Sequence, residues 1–368
     1  MKLKWANLRS SVVTGAVVLS LWALGQAHSQ SDIESRVDVL LAEMTLEQKV
    51  AQMIQGEIKH VTPADVRRYG LGSVLNGGGS FPAQNKYASV KDWVELADSY
   101  YLASVDTSEG SAGIPVIWGT DAVHGHNNVV GATFFPHNIG LGATNNESLL
   151  REIGRITALE TAATAIDWTF APTLAVARDD RWGRTYESYA EDPEIVARLG
   201  AALTEGLQGD TTENRFQPGR VVATAKHFIG DGGTLSGIDQ GDNLSDETTL
   251  RLRHGAGYYT TLGAGAQTIM ASFSSWRGYK SHGNKYLLTT VLRQQMGFDG
   301  FVIGDWNGHE QVPGCAADSC AAAINAGVDM IMVPEEWRGF IRNTLRDVEA
   351  GRISTERIDE AVRRILRV

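Results

Sequence analysis

The sequence lacks several features that mark other classes of protein. Its 368 residues contain no low-complexity tract and no internal repeat, which argues against solenoids and propellers. No Gly-x-Gly-x-x-Gly motif follows an early predicted strand, so a dinucleotide-binding fold has no support. The formal net charge is −10 and no basic stripe is present, so we do not expect nucleic acid as a partner.

Cysteine is scarce as well, with only Cys315 and Cys320 in the chain. In an oxidising compartment these two residues could close a short loop as a disulfide, and the alternative is a pair of free buried thiols. The turn signal Pro313-Gly314 lies directly before Cys315 and favours the disulfide.

Long hydrophobic runs are absent apart from one near the N-terminus. Residues 12–24 are mostly apolar, and this run is short for a bilayer span. A basic segment precedes the run, and the small-x-small sequence Gly25–Ala27 follows it. The pattern predicts a cleaved signal peptide over residues 1–27, with a retained N-terminal anchor as the alternative. We therefore expect a secreted or periplasmic protein in which residues 28–368 form one domain, without stable membrane insertion.

Short apolar runs alternate with amphipathic segments from residue 45 onward. Eight runs are predicted strands, and many are continuously apolar, as strands buried on both faces are. They are Gln52–Glu57, Gly72–Asn76, Pro115–Thr120, Asp167–Pro172, Val221–Phe228, Thr268–Ser274, Gly300–Gly304 and Asp329–Val333. Predicted helices lie at 147–164, 192–207, 246–262, 287–296, 320–325, 340–349 and 355–366. Repeated β-then-α order implies parallel strands with helical crossovers, so we predict an α/β fold of the (β/α)₈ TIM-barrel type, with an open doubly wound sheet as the alternative.

Polar residues follow several predicted strands at the point where each strand ends. In a barrel these carboxyl ends converge on one face, where the active site forms. The residues are Asp121 after the third strand, Arg184 in the loop after the fourth, Lys226 and His227 at the end of the fifth, and Asp305 after the seventh. Singly, each could be a helix cap or half of a structural ion pair, but together they indicate one pocket. We expect Trp182, Trp276 and Trp306 to form its walls.

This set of residues suits sugar chemistry. Charged side chains can hold adjacent hydroxyl groups by charge-assisted hydrogen bonds, and indole faces match the apolar face of a pyranose. A fixed carboxylate can attack the anomeric carbon and form a covalent glycosyl-enzyme. Asp305 is the predicted nucleophile, and we expect the positive charge of Lys226 to favour its ionised form. We expect no metal or other cofactor.

Five ordered motifs resemble those of glycoside hydrolase family 3. They are Asp121–Gly125 (DAVHG), Arg181–Glu187 (RWGRTYE) with Glu191–Pro193 (EDP), Lys226–Thr234 (KHFIGDGGT), Met270–Trp276 (MASFSSW) and Phe301–Trp306 (FVIGDW). The resemblance runs from about Ile33 to the last residue. The sequence Gly-Asp-Gly-Gly-Thr is similar to that of the exo-acting β-glucosidase and β-glucan glucohydrolase branch.

The resemblance implies a retaining β-glucosidase-type enzyme that removes terminal β-D-glucose from β-glucosides or β-glucans. It implies that Asp305 is the nucleophile and that four residues bind hydroxyl groups of the terminal sugar, namely Asp121, Arg184, Lys226 and His227. It also implies that Trp306 contacts the next sugar and that Met270 lines the pocket. Phe273 departs from the family pattern, since related enzymes often have Tyr there beside the nucleophile.

A retaining mechanism requires a second carboxyl group about 5–5.5 Å from the first. Two-domain members of the family take their acid/base Glu from a following α/β sandwich domain, and we expect that domain to be missing from this chain. By loop position alone, Glu187, Asp231, Asp239 and Glu310 are alternatives. The Asp-His dyad of the single-domain β-N-acetylglucosaminidases is not expected, because the corresponding loop here has no second His after His227.

Three other functions stay open at the level of sequence. The chain could be a sugar-binding fragment with little turnover. A metal-dependent barrel hydrolase is a further alternative, but the His-x-His pair follows the third strand and not the first. Its ligand set would be His124, His126, Lys226, His227 and Asp305. A Schiff-base lyase could use Lys226, although a tryptophan-lined pocket does not call for one.

Overall fold

The computed structural model describes residues 32–210 and 216–368. The predicted signal peptide lies outside these residues. The strands in chain order are β1 (Ile54–Glu57), β2 (Ser73–Asn76), β3 (Ile117–Thr120), β4 (Trp168–Thr169), β5 (Val222–Phe228), β6 (Asp242–Asn243), β7 (Thr268–Ala271), β8 (Ser275–Trp276), β9 (Tyr279–Lys280), β10 (Phe301–Ile303) and β11 (Ile331–Met332). Each of the eight predicted strands contains one of these, so the predicted strand order is confirmed.

Eight parallel strands form the barrel, in the spatial order β10-β7-β5-β4-β3-β2-β1-β11. The ring closes between its two outer strands, where Ile303 of β10 bridges Met330 directly before β11. The predicted (β/α)₈ barrel is therefore confirmed over the open doubly wound sheet. The short strands β6, β8 and β9 form a separate small sheet from the loops that follow β5 and β7.

Helices connect the strands and pack on the outside of the barrel. They are α1 (32–43), α2 (Leu46–Gln52), α3 (Pro63–Tyr69), α4 (Val90–Ser104), α5 (Asn138–Thr144), α6 (Glu147–Ala163), α7 (Pro193–Gln208), α8 (Glu247–Thr249), α9 (Ala256–Gly263), α10 (Ala321–Ala326), α11 (Trp337–Glu349) and α12 (Thr355–Arg367). Several begin at a side chain that accepts a backbone N–H, such as Ser89 before α4, and such caps stabilise a helix by about 1 kcal/mol. No helix within the described residues has the length and apolar character that a membrane crossing requires.

Two predicted helices differ from the structure. The segment predicted at 287–296, which follows β7 and the small sheet, is a π-helix over Tyr286–Gln295. The segment 246–262 is interrupted between α8 and α9 by a π-helical turn over Leu250–His254, in which the N–H of Gly255 donates to the carbonyl of Leu250. A Cβ added at Gly255 would lie 2.5 Å from the Arg251 carbonyl oxygen, so the turn requires glycine there. A hydrophobic pattern alone does not reveal such a turn, because it changes the hydrogen bonding without changing which residues are apolar.

The centre of the barrel is filled by the side chain of Trp168. Its ring packs edge-on against Phe170 and Phe301, at centroid distances of 5.0 and 5.3 Å. Its indole N–H donates to the hydroxyls of Thr224 at 2.7 Å and Thr268 at 3.1 Å. Because a buried indole N–H requires an acceptor, this arrangement satisfies the only polar atom of the side chain. It ties β4 to β5, β7 and β10, three strands that carry residues of the site.

A buried ion cluster lies at the start of β11. The carboxylate of Asp329, which is fully buried, accepts hydrogen bonds from Arg293 at 2.6 Å and Arg357 at 2.8 Å. It also accepts the backbone N–H of Val302 at 2.8 Å. The cluster therefore joins the chain before β11 to β10 and to the helices that follow β7 and β11.

Candidate active site

One cavity of about 400 Å³ opens at the carboxyl ends of the barrel strands. It is lined by all seven predicted site residues, namely Asp121, Arg184, Lys226, His227, Met270, Asp305 and Trp306. Its other lining residues include Glu187, Phe273 and the aromatic side chains of His124, His137 and Tyr186. The barrel thus brings together residues that lie up to 185 positions apart in the chain.

Asp305 follows β10, and two hydrogen bonds that involve backbone N–H groups hold it in place. Its N–H donates to Nε2 of His282 at 2.9 Å, and its Oδ1 accepts the N–H of Trp306 at 2.7 Å. The side chain is 14% exposed. Burial raises the pKa of Asp305 to about 6, although the charges of Lys226 and Arg184 act in the opposite direction. Lys226 does favour the ionised form, as expected, but the loss of hydration outweighs it.

Lys226, at the end of β5, pairs with Asp121. Its ammonium group lies 2.6 Å from Oδ1 of Asp121, whose side chain is 47% exposed, while that of Lys226 is 6% exposed. The lysine therefore reaches the cavity from the barrel interior, and the carboxylate faces the open side. Both groups keep further hydrogen-bonding capacity for hydroxyls, since an ammonium has three donors and a carboxylate about four acceptor sites.

Arg184, which lies on the loop after β4, is held by two neighbours, Glu187 on the same loop and His227 on β5. Its Nε and Nη2 donate to the two carboxylate oxygens of Glu187, at 2.6 and 2.9 Å. Burial acts to raise the pKa of Glu187, but hydrogen bonds and charge from Arg184 outweigh burial and leave this pKa below its ordinary value. Nη2 of Arg184 also lies 3.0 Å from Nε2 of His227. The guanidinium plane is thereby held in one orientation at the cavity wall.

His227 lies between three charged residues. Its Nε2 is 3.8 Å from Oδ2 of Asp305 as well as near Arg184, and its Nδ1 is 3.0 Å from Oδ2 of Asp231. Burial and the neighbouring cations Arg184 and Lys226 hold the pKa of His227 well below its ordinary value. The imidazole is therefore neutral at physiological pH.

Of the three tryptophans expected in the wall, only Trp306 lines the cavity. It is 38% exposed and packs over Gly77, where an added Cβ would lie 2.7 Å from the indole. The prediction for the other two is wrong. Trp182 is buried and its indole N–H donates to Asp239. Trp276 stacks on Tyr286, outside the cavity lining.

His282 is a residue of the site that sequence reasoning missed. It is buried, with Nδ1 2.9 Å from the carbonyl of Ser272 and Nε2 accepting the N–H of Asp305. It therefore ties the loop after β7 to the backbone of Asp305. No pattern pointed to it, because it lies in an irregular loop and acts through backbone groups only.

The cavity contains no second unpaired carboxyl group among the residues that the structure describes. Asp121 and Glu187 are ion-paired with Lys226 and Arg184. Of the alternatives considered from sequence, Asp231 lies behind His227, and neither Asp239 nor Glu310 lines the cavity. In the same described ranges, no group of three or more His, Cys, Asp or Glu side chains is arranged to hold a metal ion.

The two cysteines lie in the loop that follows Asp305. The structure joins Cys315 to Cys320 by a disulfide, so the predicted pairing is confirmed. Within this loop, buried His309 places its Nε2 2.8 Å from the carbonyl oxygen of Ala317. The loop is thus closed by a covalent bond and an internal hydrogen bond.

Comparison with known proteins agrees with this geometry. An exo-1,3/1,4-beta-glucanase from a Pseudoalteromonas species is 54% identical and superposes with a TM-score of 0.90, covering 91% of this chain and 42% of that protein. A lysosomal beta glucosidase of Dictyostelium discoideum is 32% identical over 90% of this chain and 43% of its own length. A periplasmic beta-glucosidase of Salmonella typhimurium is 30% identical over 69% of this chain and 32% of its own length.

The chain therefore spans less than half the length of these relatives. Residues 45–368 match the family described as the glycosyl hydrolase family 3 N terminal domain. The chain belongs to glycosyl hydrolase family 3.

Proposed function

We propose that this member of glycosyl hydrolase family 3 is a retaining, exo-acting β-glucosidase-type enzyme that removes terminal β-D-glucose from β-glucosides or β-glucans. The observation that carries the proposal is the cavity in which the largely buried carboxylate of Asp305 lies among Lys226, Arg184 and His227. The names of the relatives, a beta-glucanase and two beta-glucosidases, support the same substrate class.

In the proposed first step, a carboxylate oxygen of Asp305 attacks the anomeric carbon. The bond from that carbon to the leaving-group oxygen breaks, and the oxygen departs with its electron pair and takes up a proton. In the second step water attacks the same carbon and gives a proton back to the group that protonated the leaving oxygen. The bond from that carbon to Asp305 breaks with its electron pair returning to the carboxylate, and β-glucose is released. The fixed backbone hydrogen bonds of Asp305 keep its carboxylate in place through both steps.

The proton donor is proposed to come from a further domain and not from the described residues. A general acid must carry its proton near the working pH, and ion pairing opposes this. The two other carboxylates in the cavity lining, Asp121 and Glu187, are both ion-paired. The limited share of the relatives that this chain spans is compatible with this assignment.

The remaining cavity residues are proposed to bind the terminal glucose. The Lys226–Asp121 pair presents donors and acceptors from one side, and the guanidinium of Arg184 with the imidazole of His227 forms the other. Met270 lines the cavity as an apolar contact, and Trp306 stands at the mouth as a platform for the next sugar. Together these groups match a ring with several adjacent hydroxyls.

Covalent trapping tests the proposal directly. We expect dinitrophenyl 2-deoxy-2-fluoro-β-glucoside to add one fluoroglucosyl group to Asp305, located by mass spectrometry of peptides, because its leaving group needs little protonation. The Asp305→Asn variant, checked for folding by circular dichroism, should stay unlabelled. Label on another residue, or no label on protein that binds glucose, would contradict the assignment. Glucose binding with neither labelling nor aryl-glucoside hydrolysis would favour a sugar-binding protein.

The protein is further proposed to be exported. The support is the signal pattern over residues 1–27, together with the disulfide at Cys315–Cys320, which fits an oxidising compartment. Sequencing the N-terminus of protein recovered outside the cytoplasm should give a chain beginning at His28. A chain that retains Met1 or stays in the cytoplasm would contradict this proposal.

A further inference from the structure

We infer that Asp231 is a positioning residue that holds His227 in the tautomer protonated at Nδ1, so that the Nε2 lone pair faces Arg184 and the nucleophile. The effect on reaction rate rests on the proposed function, whereas the tautomer itself does not. Asp231 lies behind His227 and does not line the cavity. Its part in the site is therefore exerted through the imidazole.

The tautomer follows from which groups can donate. Nη2 of Arg184 lies 3.0 Å from Nε2 of His227, and a guanidinium has donors only. Nε2 must therefore be the acceptor and carry no proton. In a neutral imidazole the proton is then on Nδ1, which donates to Oδ2 of Asp231 at 3.0 Å. The other oxygen of Asp231 accepts the N–H of Gly232 at 3.0 Å, so both carboxylate oxygens act as acceptors.

The opposite tautomer would disturb two contacts at once. A proton on Nε2 would place two donors opposite each other at the 3.0 Å distance from Arg184. It would also direct a donor toward Oδ2 of Asp305, which is 3.8 Å away. A donor there would favour the ionised carboxylate and reduce its nucleophilicity. By holding the proton on Nδ1, Asp231 prevents a hydrogen bond from Nε2 of His227 to Asp305 that would reduce the nucleophilicity of that carboxylate.

The loop around Asp231 is packed so that the carboxylate cannot easily move. Asp231 is 6% exposed and His227 is 2% exposed. A Cβ at Gly232 would lie 2.6 Å from the carbonyl oxygen of Val176, and one at Gly233 would lie 2.4 Å from the ring of His254. The two glycines therefore allow the loop to pack closely against its neighbours, and this packing holds the Asp231–His227 pair in place.

The other charged groups near Asp231 and His227 do not change which nitrogen of His227 carries the proton. The charged or titratable groups that act on Asp231 are Arg184, Glu187, His254 and Tyr258. Those around Asp305 are Lys226, Arg184, Asp121 and His227, with His282 on its backbone N–H. Burial raises the pKa of Asp231 to about 6, so the carboxylate is mostly ionised at neutral pH, as an acceptor should be.

The substitution Asp231→Asn tests the inference, because an amide can donate to Nδ1 and so permit the other tautomer. Two-bond ¹⁵N–¹H correlation spectra report the tautomer, and the signals of His227 are identified by their loss in His227→Gln. We expect the wild-type protein to show His227 protonated at Nδ1, and Asp231→Asn to show it protonated at Nε2. This measurement does not require turnover.

Trapping by the fluoroglucoside gives the functional readout. In Asp231→Asn we expect labelling of Asp305 at neutral pH to slow roughly ten- to a hundredfold, with its acidic limb moved to lower pH. Asp231→Glu, which keeps an acceptor, should retain the wild-type tautomer and recover part of the rate. Asp239→Asn is the matched control, because Asp239 lies in the same loop as Asp231 but accepts a hydrogen bond from Trp182. We expect this substitution to leave His227 unchanged.

Two results would overturn the inference. One is a wild-type His227 protonated at Nε2 or at both nitrogens at neutral pH. The other is an Asp231→Asn variant with the wild-type tautomer and the wild-type pH profile. If Asp231→Asn does not fold, the wild-type and Asp231→Glu spectra still decide the question. A wild-type protein that binds glucose without labelling would refute the proposed function, and the spectra would still confirm or refute the tautomer.

Discussion

Replacing Asp305 by Asn should make the protein more stable at neutral pH while removing the proposed nucleophile. The pKa of Asp305 is raised from 3.8 to about 6, mainly by burial. A carboxyl group with a raised pKa in the folded state is favoured there in its neutral form. Its contribution to stability is fully present below about pH 4 and is lost as the pH rises through about 6. At neutral pH the folded protein therefore holds an unfavourable buried charge.

The size of this effect follows from the two pKa values. Over the whole range, the rise from 3.8 to about 6 corresponds to about 3 kcal/mol of folding free energy. Between pH 4.5 and pH 7.5 the difference is about 2 kcal/mol, because part of the titration has already occurred at the lower pH. We therefore expect the gain of Asp305→Asn over the wild-type protein to be about 2 kcal/mol larger at pH 7.5 than at pH 4.5.

Urea unfolding of both proteins at the two pH values measures this difference. Comparing the substitution with itself across pH cancels any change in packing that does not depend on pH. Asp329→Asn is a control of opposite sign, because Asp329 pairs with Arg293 and Arg357 and its loss should destabilise the protein at both pH values. A gain for Asp305→Asn that is equal at the two pH values, or larger at pH 4.5, would refute the reasoning.

Three further outcomes are expected. The rate of fluoroglucoside labelling should fall below about pH 6, with about one-tenth of its maximum at pH 5, since only ionised Asp305 attacks; a flat rate from pH 5 to pH 8 would contradict this. Asp329→Ala should cost about 3 kcal/mol in urea unfolding because it leaves buried Arg293 and partly buried Arg357 without the carboxylate they share, whereas Glu360→Gln at a 43% exposed position should cost less than about 1 kcal/mol; equal costs would show that the Asp329 cluster contributes no more than an exposed ion pair. Trp306→Ala should weaken binding of a β-linked glucose disaccharide more than binding of glucose, measured by calorimetry, and an equal loss for both would remove Trp306 from the outer sugar position.

The sequence predicted the barrel and the polar residues of its active face well. Strands buried on both faces leave continuous apolar runs, and a polar residue directly after such a run must lie near the strand end. Asp121, Lys226 and Asp305 were located in this way, and all three line the cavity. The same reasoning placed Arg184 there through its loop.

The features that the sequence did not predict depend on the way in which long loops fold back onto the barrel. Trp182 and Trp276 lie on such loops, and each turns away from the cavity to satisfy its indole N–H on Asp239 or on the carbonyl of Ser245. His282 acts on the backbone of Asp305 from another loop. The net pKa of Asp305 depends on the balance between burial and charge, which only the three-dimensional arrangement reveals.

The contact between Trp306 and Gly77 has a consequence for how the mouth of the cavity could be redesigned. The indole lies directly against the backbone of Gly77, which has no Cβ, and this contact leaves no space for even a methyl group. A Cβ at position 77 would lie 2.7 Å from the ring, so the indole would have to shift. Gly77→Ala and Gly77→Ser thus form a graded series that displaces the Trp306 ring and tests how its position selects among acceptors. Selectivity for chain length could thus be tuned from the residue that directly follows β2.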